Sequence, residues 1–131
     1  MGNKIVTVLV DDEESSRIVL RNLFRDFFPE IEIAGEAENV EEGYELIKNK
    51  KPELVFLDIQ MPRASGFTLL QKFEEVPFEV IFVTGFDKYA INAIKFNALD
   101  YLLKPVEVTD LEAALNKAKK VSRSNQANPF R

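Results

Sequence analysis

The chain has 131 residues, of which 46% are hydrophobic, and this length suits a single domain with a substantial core. It contains no cysteine and no histidine, which excludes disulfides, thiolate metal sites and histidine-based acid–base catalysis on this chain. A formal net charge of −5, with no basic stripe, argues against direct binding to DNA phosphates.

Strand-like and helix-like segments alternate about five times along the chain. Such alternation predicts βαβ units with right-handed crossovers, and therefore an α/β fold built on a parallel sheet. We expect a single doubly wound five-stranded parallel sheet of the flavodoxin-like (βα)5 type, with strand order 2-1-3-4-5. The predicted strands are 5–10, 31–35, 54–57, 80–83 and 100–103.

The predicted helices begin with 14–28, which Pro29 stops. The second helix starts at Glu38 or Asn39, and the third follows a loop at 61–66 and closes at Val76–Pro77. The last two are 88–96 and 111–121. Residues 1–121 therefore form the predicted domain, and residues 122–131 are expected to be a polar tail or the beginning of a linker.

Polar side chains stand at the ends of four of these strands. Asp11 and Asp12 follow the first strand and Asp58 the third, while Thr84 ends the fourth and Lys104 follows the fifth. In a parallel sheet these groups converge at the carboxyl edge, where open α/β sheets bind their ligands. Carboxylates suit Mg²⁺, Asp58 beside a metal is a candidate nucleophile, and a hydroxyl with an amine suits phosphoryl oxygens.

Each of these residues also has a simpler explanation. The acids at 11–14 could cap the first helix, Asp58 could end a strand, and Thr84 could be an ordinary strand residue. Lys104 could be a surface lysine, although Pro105 makes a cis bond plausible there. Gly85 leaves room for a phosphoryl oxygen to reach the backbone. The ordered set of Asp-Asp, Asp, Thr and Lys-Pro on successive strands favours phosphoryl chemistry.

With this set the chain resembles a receiver domain of two-component response regulators, over about residues 4–121. The matching segments are Val8-Leu9-Val10-Asp11-Asp12-Glu13, Leu57-Asp58-Ile59-Gln60-Met61-Pro62 with Gly66, Val83-Thr84-Gly85, and Asp100-Tyr101-Leu102-Leu103-Lys104-Pro105. The stretches Phe86-Asp87-Lys88-Tyr89-Ala90 and Ala98-Leu99-Asp100-Tyr101-Leu102-Leu103-Lys104-Pro105 resemble the LytTR branch in particular.

The resemblance implies a role for each matching residue. Asp58 would accept a phosphoryl group from a histidine kinase, and Thr84 and Lys104 would hold its oxygens. The implied Mg²⁺ ligands are Asp12 directly, Asp11 through water, the phosphoacceptor Asp58, and the backbone carbonyl of Gln60. Tyr101 would be an aromatic switch coupled to Thr84, although its position equally fits an edge-strand aromatic packed on the fourth helix.

The resemblance also implies partners. These are a sensor histidine kinase and a second copy bound through helix 4, strand 5 and helix 5. DNA would be contacted only through a C-terminal effector domain that is not in this chain. We expect a cytoplasmic protein without a membrane partner, since no signal peptide or membrane span is evident. We also expect it to act as a signalling switch and not as a turnover enzyme.

Other functions remain open alternatives. One is a stand-alone or phosphorylation-independent receiver-like interaction module. An FMN binder would want a phosphate-cradling loop where this chain has acids. An aspartyl phosphatase would want its nucleophile after the first strand, usually with another Asp two residues on, a spacing that Asp11-Asp12-Glu13 does not offer. Gln60 and Phe86 lie two residues beyond Asp58 and Thr84, and we hypothesise that Phe86 shields an acyl phosphate from water.

Overall fold

Five parallel strands form one sheet in the computed structural model, which describes the backbone of residues 4–127 and the side chains of residues 4–121. The strands are β1 (Ile5–Val10), β2 (Ile31–Ala37), β3 (Leu54–Leu57), β4 (Glu79–Thr84) and β5 (Asp100–Leu103). Their order is β2-β1-β3-β4-β5 with every pairing parallel, which confirms the predicted fold class and strand order.

Five helices connect and cover the strands. They are α1 (Glu14–Phe27), α2 (Val40–Lys50), α3 (Gly66–Gln71), α4 (Ala90–Lys95) and α5 (Val108–Ala127). The asparagine at position 39 caps α2, because its side chain accepts a hydrogen bond from the Glu42 backbone N–H at 2.8 Å. Among the described residues, no helix combines the length and the apolarity needed to cross a bilayer.

The sheet separates two apolar clusters, one on each face. Leu54 and Phe56 of β3 pack with residues of α1 and α5, whereas Val55 and Leu57 pack with residues of α2, α3 and α4. Successive side chains of a strand point to opposite faces, so a strand that is apolar at every position is buried on both. The continuous apolar run of β3 therefore places it at the centre of a sheet covered by helices on both sides.

Several predicted elements from the 61–66 loop onward differ from the structure. The loop at 61–66 contains a short antiparallel hairpin of Gln60–Met61 with Ala64–Ser65. Helix α3 ends at Gln71 rather than near Val76. The predicted helix 88–96 divides into a 3-10 turn at Asp87–Tyr89 and the short helix α4.

The early end of α3 follows from aromatic packing. The backbone N–H of Lys72 donates to the Leu69 carbonyl, and that of Phe73 donates to the Leu70 carbonyl, so the last turn tightens. The Phe73 ring packs edge-on against Tyr44 at 5.1 Å and Phe78 at 5.3 Å between ring centroids. This anchoring draws the chain away from a helical path before Pro77.

Helix α5 is longer than the predicted 111–121, and its backbone runs through part of the expected polar tail. No glycine or proline interrupts the sequence between Pro105 and Pro129, so nothing stops the helix at Val121. The expected tail beyond Ala127, and residues 1–3 of the predicted domain, lie outside the described residues.

Candidate functional site

The ends of β1 and β3 bring two of the predicted acids together. Val10 is paired with Leu57 in the sheet, and the backbone N–H of Asp58 donates to the Val10 carbonyl at 2.9 Å. The residues that follow these strands, Asp11 and Asp58, therefore leave the sheet side by side. The predicted convergence at the carboxyl edge is present for these two residues.

Three carboxylates form a cluster at this edge. One oxygen from each of Asp11, Asp12 and Asp58 lies within 4.8 Å of the others. Asp11 and Asp58 are buried, whereas Asp12 is exposed. One Asp11 oxygen accepts the Glu13 backbone N–H at 2.9 Å, which closes a turn over the cluster. Carboxylate oxygens at this spacing, with one side open, are a donor set that fits Mg²⁺.

Lys104 supplies the positive charge of the site. Its Nζ lies 2.9 Å from Asp11 Oδ2 and 3.1 Å from Asp58 Oδ2, and it also donates to Glu13. The residue follows β5, its backbone N–H bonds to the Thr84 carbonyl, and the Lys104–Pro105 peptide is cis. The predicted position of the amine next to the acids is confirmed, while its role toward a phosphoryl group stays a prediction.

Thr84 ends β4 and is fully buried. Its hydroxyl oxygen lies 3.4 Å from the backbone N–H of Phe86, which donates to it. In the part of the chain that the structure describes, the threonine hydroxyl is thus bonded within its own loop rather than to the acidic cluster. A Cβ added at Gly85 would meet nothing within 4 Å, so the backbone there is open to an approaching oxygen.

Gln60 joins the acidic cluster to Tyr89: its backbone N–H faces Asp58, and its side chain faces the tyrosine. The N–H lies 3.3 Å from Asp58 Oδ1, and the side-chain amide donates to the Tyr89 hydroxyl at 2.8 Å. A groove of about 670 Å³ opens beside this contact and is lined in part by Asp12, Gln60 and Tyr89. The metal-binding role expected for the Gln60 carbonyl stays a prediction.

Tyr101 lies on β5 and is half-buried against the apolar cluster on the face of the sheet that α2, α3 and α4 cover. Its hydroxyl donates to the backbone carbonyl of Phe86, in the loop that follows Thr84. This contact joins β5 to the loop that follows Thr84. It is compatible with a tyrosine that switches together with Thr84 and with an edge-strand aromatic that packs on the fourth helix. Its role as a switch stays a prediction.

Burial and charge shift the ionisation of the acids. Burial, followed by the charge of Asp11, raises the pKa of Asp58 from 3.8 to about 7, although Lys104 opposes the shift. Partial desolvation of the exposed Asp12, followed by the charge of Asp11, also raises the pKa of Asp12. By contrast, the hydrogen bond from Lys104 lowers the pKa of Glu13. A cation among the buried acids would favour their charged forms.

The ionisation of Lys104 is shifted in the direction that keeps its charge. Burial by itself lowers the pKa of this lysine, but hydrogen bonds to Glu13 and Asp11 and the charge of Asp58 outweigh burial and raise it above its ordinary value. Lys104 is therefore a permanent cation in the site at neutral pH.

Two residues at this site were not predicted. Tyr89 reaches Gln60, and Arg17 donates to the backbone carbonyl of Asp11. Arg17 shares the buried stripe of α1 with Leu20 and Phe24, three and seven residues further on. An arginine at the apolar spacing of an amphipathic helix was a signal that could have pointed to it.

A five-stranded doubly wound sheet carries acids, a hydroxyl and a lysine at its carboxyl edge, which is the arrangement expected of a receiver fold. Comparison with known proteins agrees with this expectation. Residues 7–116 match the model of the response regulator receiver domain. The chain belongs to this family.

Named relatives and a solved structure support the assignment. The chain is 41% identical to the transcriptional regulatory protein BtsR of Escherichia coli K12, covering 93% of this chain and 51% of BtsR. It is 36% identical to the sensory transduction protein LytT of Bacillus subtilis, covering 88% of this chain and 48% of LytT. The receiver domain of AraT, a response regulator from Geobacillus stearothermophilus, superposes with a TM-score of 0.79 at 31% identity, covering 92% and 98% of the two chains. The chain spans about half the length of the curated relatives it matches.

Proposed function

We propose that this chain is a phosphoacceptor receiver that takes a phosphoryl group from a sensor histidine kinase onto Asp58. The observation that carries the proposal is the placement of Asp58: its Oδ2 lies 3.1 Å from the Lys104 ammonium, and one of its oxygens lies within 4.8 Å of an oxygen of Asp11 and one of Asp12. A nucleophile, a cation and further metal ligands thus meet at one edge of the sheet. Phosphoryl transfer requires chiefly positioning and charge stabilisation, and this set supplies both.

Asp58 is the attacking group in this proposal. One of its carboxylate oxygens bonds to phosphorus as the bond from phosphorus to the donor's nitrogen breaks, and the electron pair of that bond leaves with the donor. Asp58 must be ionised to attack, whereas burial and Asp11 hold its pKa near 7. Mg²⁺, held by Asp11, Asp12, Asp58 and the Gln60 carbonyl, would favour the ionised form and offset charge on the transferred oxygens.

Lys104 and Thr84 would then bind the new phosphoryl oxygens. The lysine already contacts Asp58 Oδ2, so a shift away from Glu13 would bring it onto the phosphoryl oxygens. The Thr84 hydroxyl would have to exchange its contact with the Phe86 N–H for one with phosphate. Because Tyr101 holds the Phe86 carbonyl of the same loop, a shift of this loop would be felt on β5.

The output surface in this proposal comprises α4, β5 and α5. Ile91 and Ile94 of α4 are 70% and 73% exposed, and Leu103 of β5 is 48% exposed. Exposed apolar side chains on neighbouring elements are suited to contact with a second copy of the chain. This surface adjoins the Thr84 loop, so a change at the loop would reach it directly.

In the full-length protein the receiver would control a C-terminal DNA-binding domain, as in a transcriptional regulator of the LytTR type. Support comes from the names of the relatives, a transcriptional regulatory protein and a sensory transduction protein, and from their greater length. The chain would act in the cytoplasm, where the kinase presents its phosphohistidine. It would catalyse only its own phosphorylation and dephosphorylation.

Intact mass spectrometry after incubation with acetyl phosphate and Mg²⁺ tests the proposal. We expect a gain of one phosphoryl group that chelation of the metal prevents and that the Asp58→Asn variant lacks. Asp87→Asn is the matched control, because Asp87 is an exposed acid near the same edge but outside the cluster. No gain with the parent chain would favour a phosphorylation-independent interaction module, and an equal gain with Asp58→Asn would overturn Asp58 as the acceptor.

A further inference from the structure

Arg17 is a buried charged residue of α1 to which the chemistry above assigns no part. Its side chain is 8% exposed and shares the core-facing stripe with Leu20 and Phe24. Charged side chains are almost never buried to this extent without specific partners. The partners of Arg17 therefore indicate what the arginine does.

The guanidinium reaches three acceptors from three segments. Its Nε donates to Glu36 of β2 at 2.9 Å, and one terminal nitrogen lies 3.4 Å from Glu38 in the turn that follows β2. The other terminal nitrogen donates to the backbone carbonyl of Asp11. The planar fork of an arginine can satisfy three acceptors in fixed directions at once.

The charges of this network cancel. Arg21, one helical turn further along α1, pairs with the second oxygen of Glu36 at 3.1 Å. Two arginines and two glutamates thus balance, which leaves little net field at the acidic cluster. What Arg17 supplies there is chiefly the orientation of one peptide group.

We propose that Arg17 is a positioning residue that holds the peptide between Asp11 and Asp12 in the orientation needed for metal binding; this inference rests on the proposed function. The backbone N–H of Asp11 is fixed to the Ala37 carbonyl at 3.0 Å and its carboxylate to Glu13 and Lys104. Arg17 fixes the remaining backbone polar group of Asp11, its carbonyl. Because this carbonyl belongs to the peptide that joins Asp11 to Asp12, its orientation sets the direction of the chain at Asp12.

The direction of Asp12 matters because of the geometry that the metal demands. Mg²⁺ requires near-ideal octahedral ligands at short distances and tolerates misplaced oxygens poorly. Asp12 is exposed, and its side chain extends from a loop rather than from the sheet. Groups that orient ligands commonly contribute about 10- to 100-fold to metal affinity.

A purely structural role makes a different prediction. If Arg17 only joins α1 to β2, its loss lowers the stability of the chain without changing the metal affinity of the folded fraction. If Arg17 positions the loop, metal affinity falls in a chain that remains folded. Measurements of stability and of metal affinity on the same variants therefore separate the two roles.

The test compares Arg17→Lys with Arg21→Lys. Lysine keeps the charge but carries all its donors on one nitrogen, so it cannot span the acceptors that Arg17 contacts through three separate nitrogens. Arg21 is the matched control, because it is 43% exposed and pairs with Oε2 of the same Glu36, whereas Arg17 contacts Oε1. Binding of Mn²⁺ alone is followed by electron paramagnetic resonance, and the Mg²⁺ concentration for half-maximal phosphorylation by acetyl phosphate is measured in parallel.

We expect Arg17→Lys to weaken Mn²⁺ binding about tenfold and to raise the half-maximal Mg²⁺ concentration similarly, with Arg21→Lys within about twofold of the parent. Thermal unfolding in chelator checks that the variants are folded. If Arg17→Lys does not fold, Glu36→Asp carries the test, because it keeps the charge balance but draws the carboxylate away from Arg17; weaker Mn²⁺ binding than in the parent is then expected.

The failures of the two proposals are distinguishable. Failure of the parent chain to bind Mn²⁺ or to accept a phosphoryl group overturns the proposed function. A parent that does both, with Arg17→Lys or its substitute binding Mn²⁺ as the parent does, overturns the positioning role alone. An equal loss in Arg21→Lys overturns it as well, because that result would make the effect a general one of the ion-pair network.

Discussion

Replacing Asp58 with asparagine is expected to stabilise the metal-free protein, and to do so increasingly as the pH rises. In the folded chain, burial and the Asp11 charge hold the pKa of Asp58 at about 7, against 3.8 ordinarily. Between these values the folded state keeps a proton that the unfolded state releases. The free energy of unfolding of the parent therefore falls as the pH rises through this window, and the cost is fully present above it.

The magnitude follows from the same two values. The difference between about 7 and 3.8, at about 1.36 kcal/mol for each pKa unit, corresponds to ~4 kcal/mol. Solvent at the open side of the cluster screens part of this charge, so we expect about half, ~2 kcal/mol. Asparagine is neutral at every pH, and its amide oxygen can still accept the Lys104 hydrogen bond. The difference between variant and parent should be near zero around pH 4 and reach its plateau above pH 7.

Urea unfolding followed by circular dichroism, in chelator and at pH values from about 5 to about 8.5, measures this difference. Glu13→Gln is the control of opposite sign. Lys104 lowers the pKa of Glu13, so the Glu13 carboxylate stabilises the fold at pH values above the ordinary pKa of a glutamate. The Glu13→Gln variant should therefore be less stable than the parent at alkaline pH. Added Mg²⁺ should shrink the advantage of Asp58→Asn. An asparagine variant less stable than the parent at alkaline pH, or a difference that does not change with pH, would refute the electrostatic reasoning.

Three further substitutions, one of them a control, test the backbone and the cover of the site. A Cβ at Gly66 would lie 2.3 Å from the Asp58 carbonyl oxygen. Gly66→Ala should therefore lower the free energy of unfolding in urea by about 1–3 kcal/mol and slow phosphorylation. Gly85→Ala is the control, because a Cβ there meets nothing within 4 Å and the variant should unfold as the parent does. Equal effects of the two alanines would contradict this. The Phe86 ring is 45% exposed beside the site, and Phe86→Glu should speed loss of the phosphoryl group several-fold by admitting water. Equal dephosphorylation rates in Phe86→Glu and the parent would remove the shielding role.

The central sheet and the acidic cluster could be predicted because two simple rules act on them. Runs that are apolar at every position, such as 54–57, indicate a strand buried on both faces, and parallel strands place their following residues at one edge. Asp11 and Asp58 are buried neighbours for this reason. The sequence position of each polar residue directly after its strand was sufficient.

The parts that could not be predicted depend on contacts between distant side chains. The end of α3 depends on Phe73 meeting Tyr44 and Phe78, and periodicity within one helix carries no record of such partners. The contact from Gln60 to Tyr89 joins residues 29 positions apart. Arg17 was visible as a charged residue on an apolar stripe, but its acceptors lie on β2 and on the loop after β1.

The three acids that contact Lys104 connect the electrostatics of the unphosphorylated site to the change proposed on phosphorylation. The Lys104 ammonium is divided among buried Asp11, buried Asp58 and exposed Glu13, so no single acid holds the whole charge. A phosphoryl group on Asp58 would add further negative charge and acceptor oxygens next to the lysine. Lys104 would then be drawn from Glu13 toward the phosphate, releasing the first residue before α1. Because Glu13 also fixes the Asp11 carboxylate through its backbone N–H, the lysine couples the chemistry at β3 to the metal loop after β1.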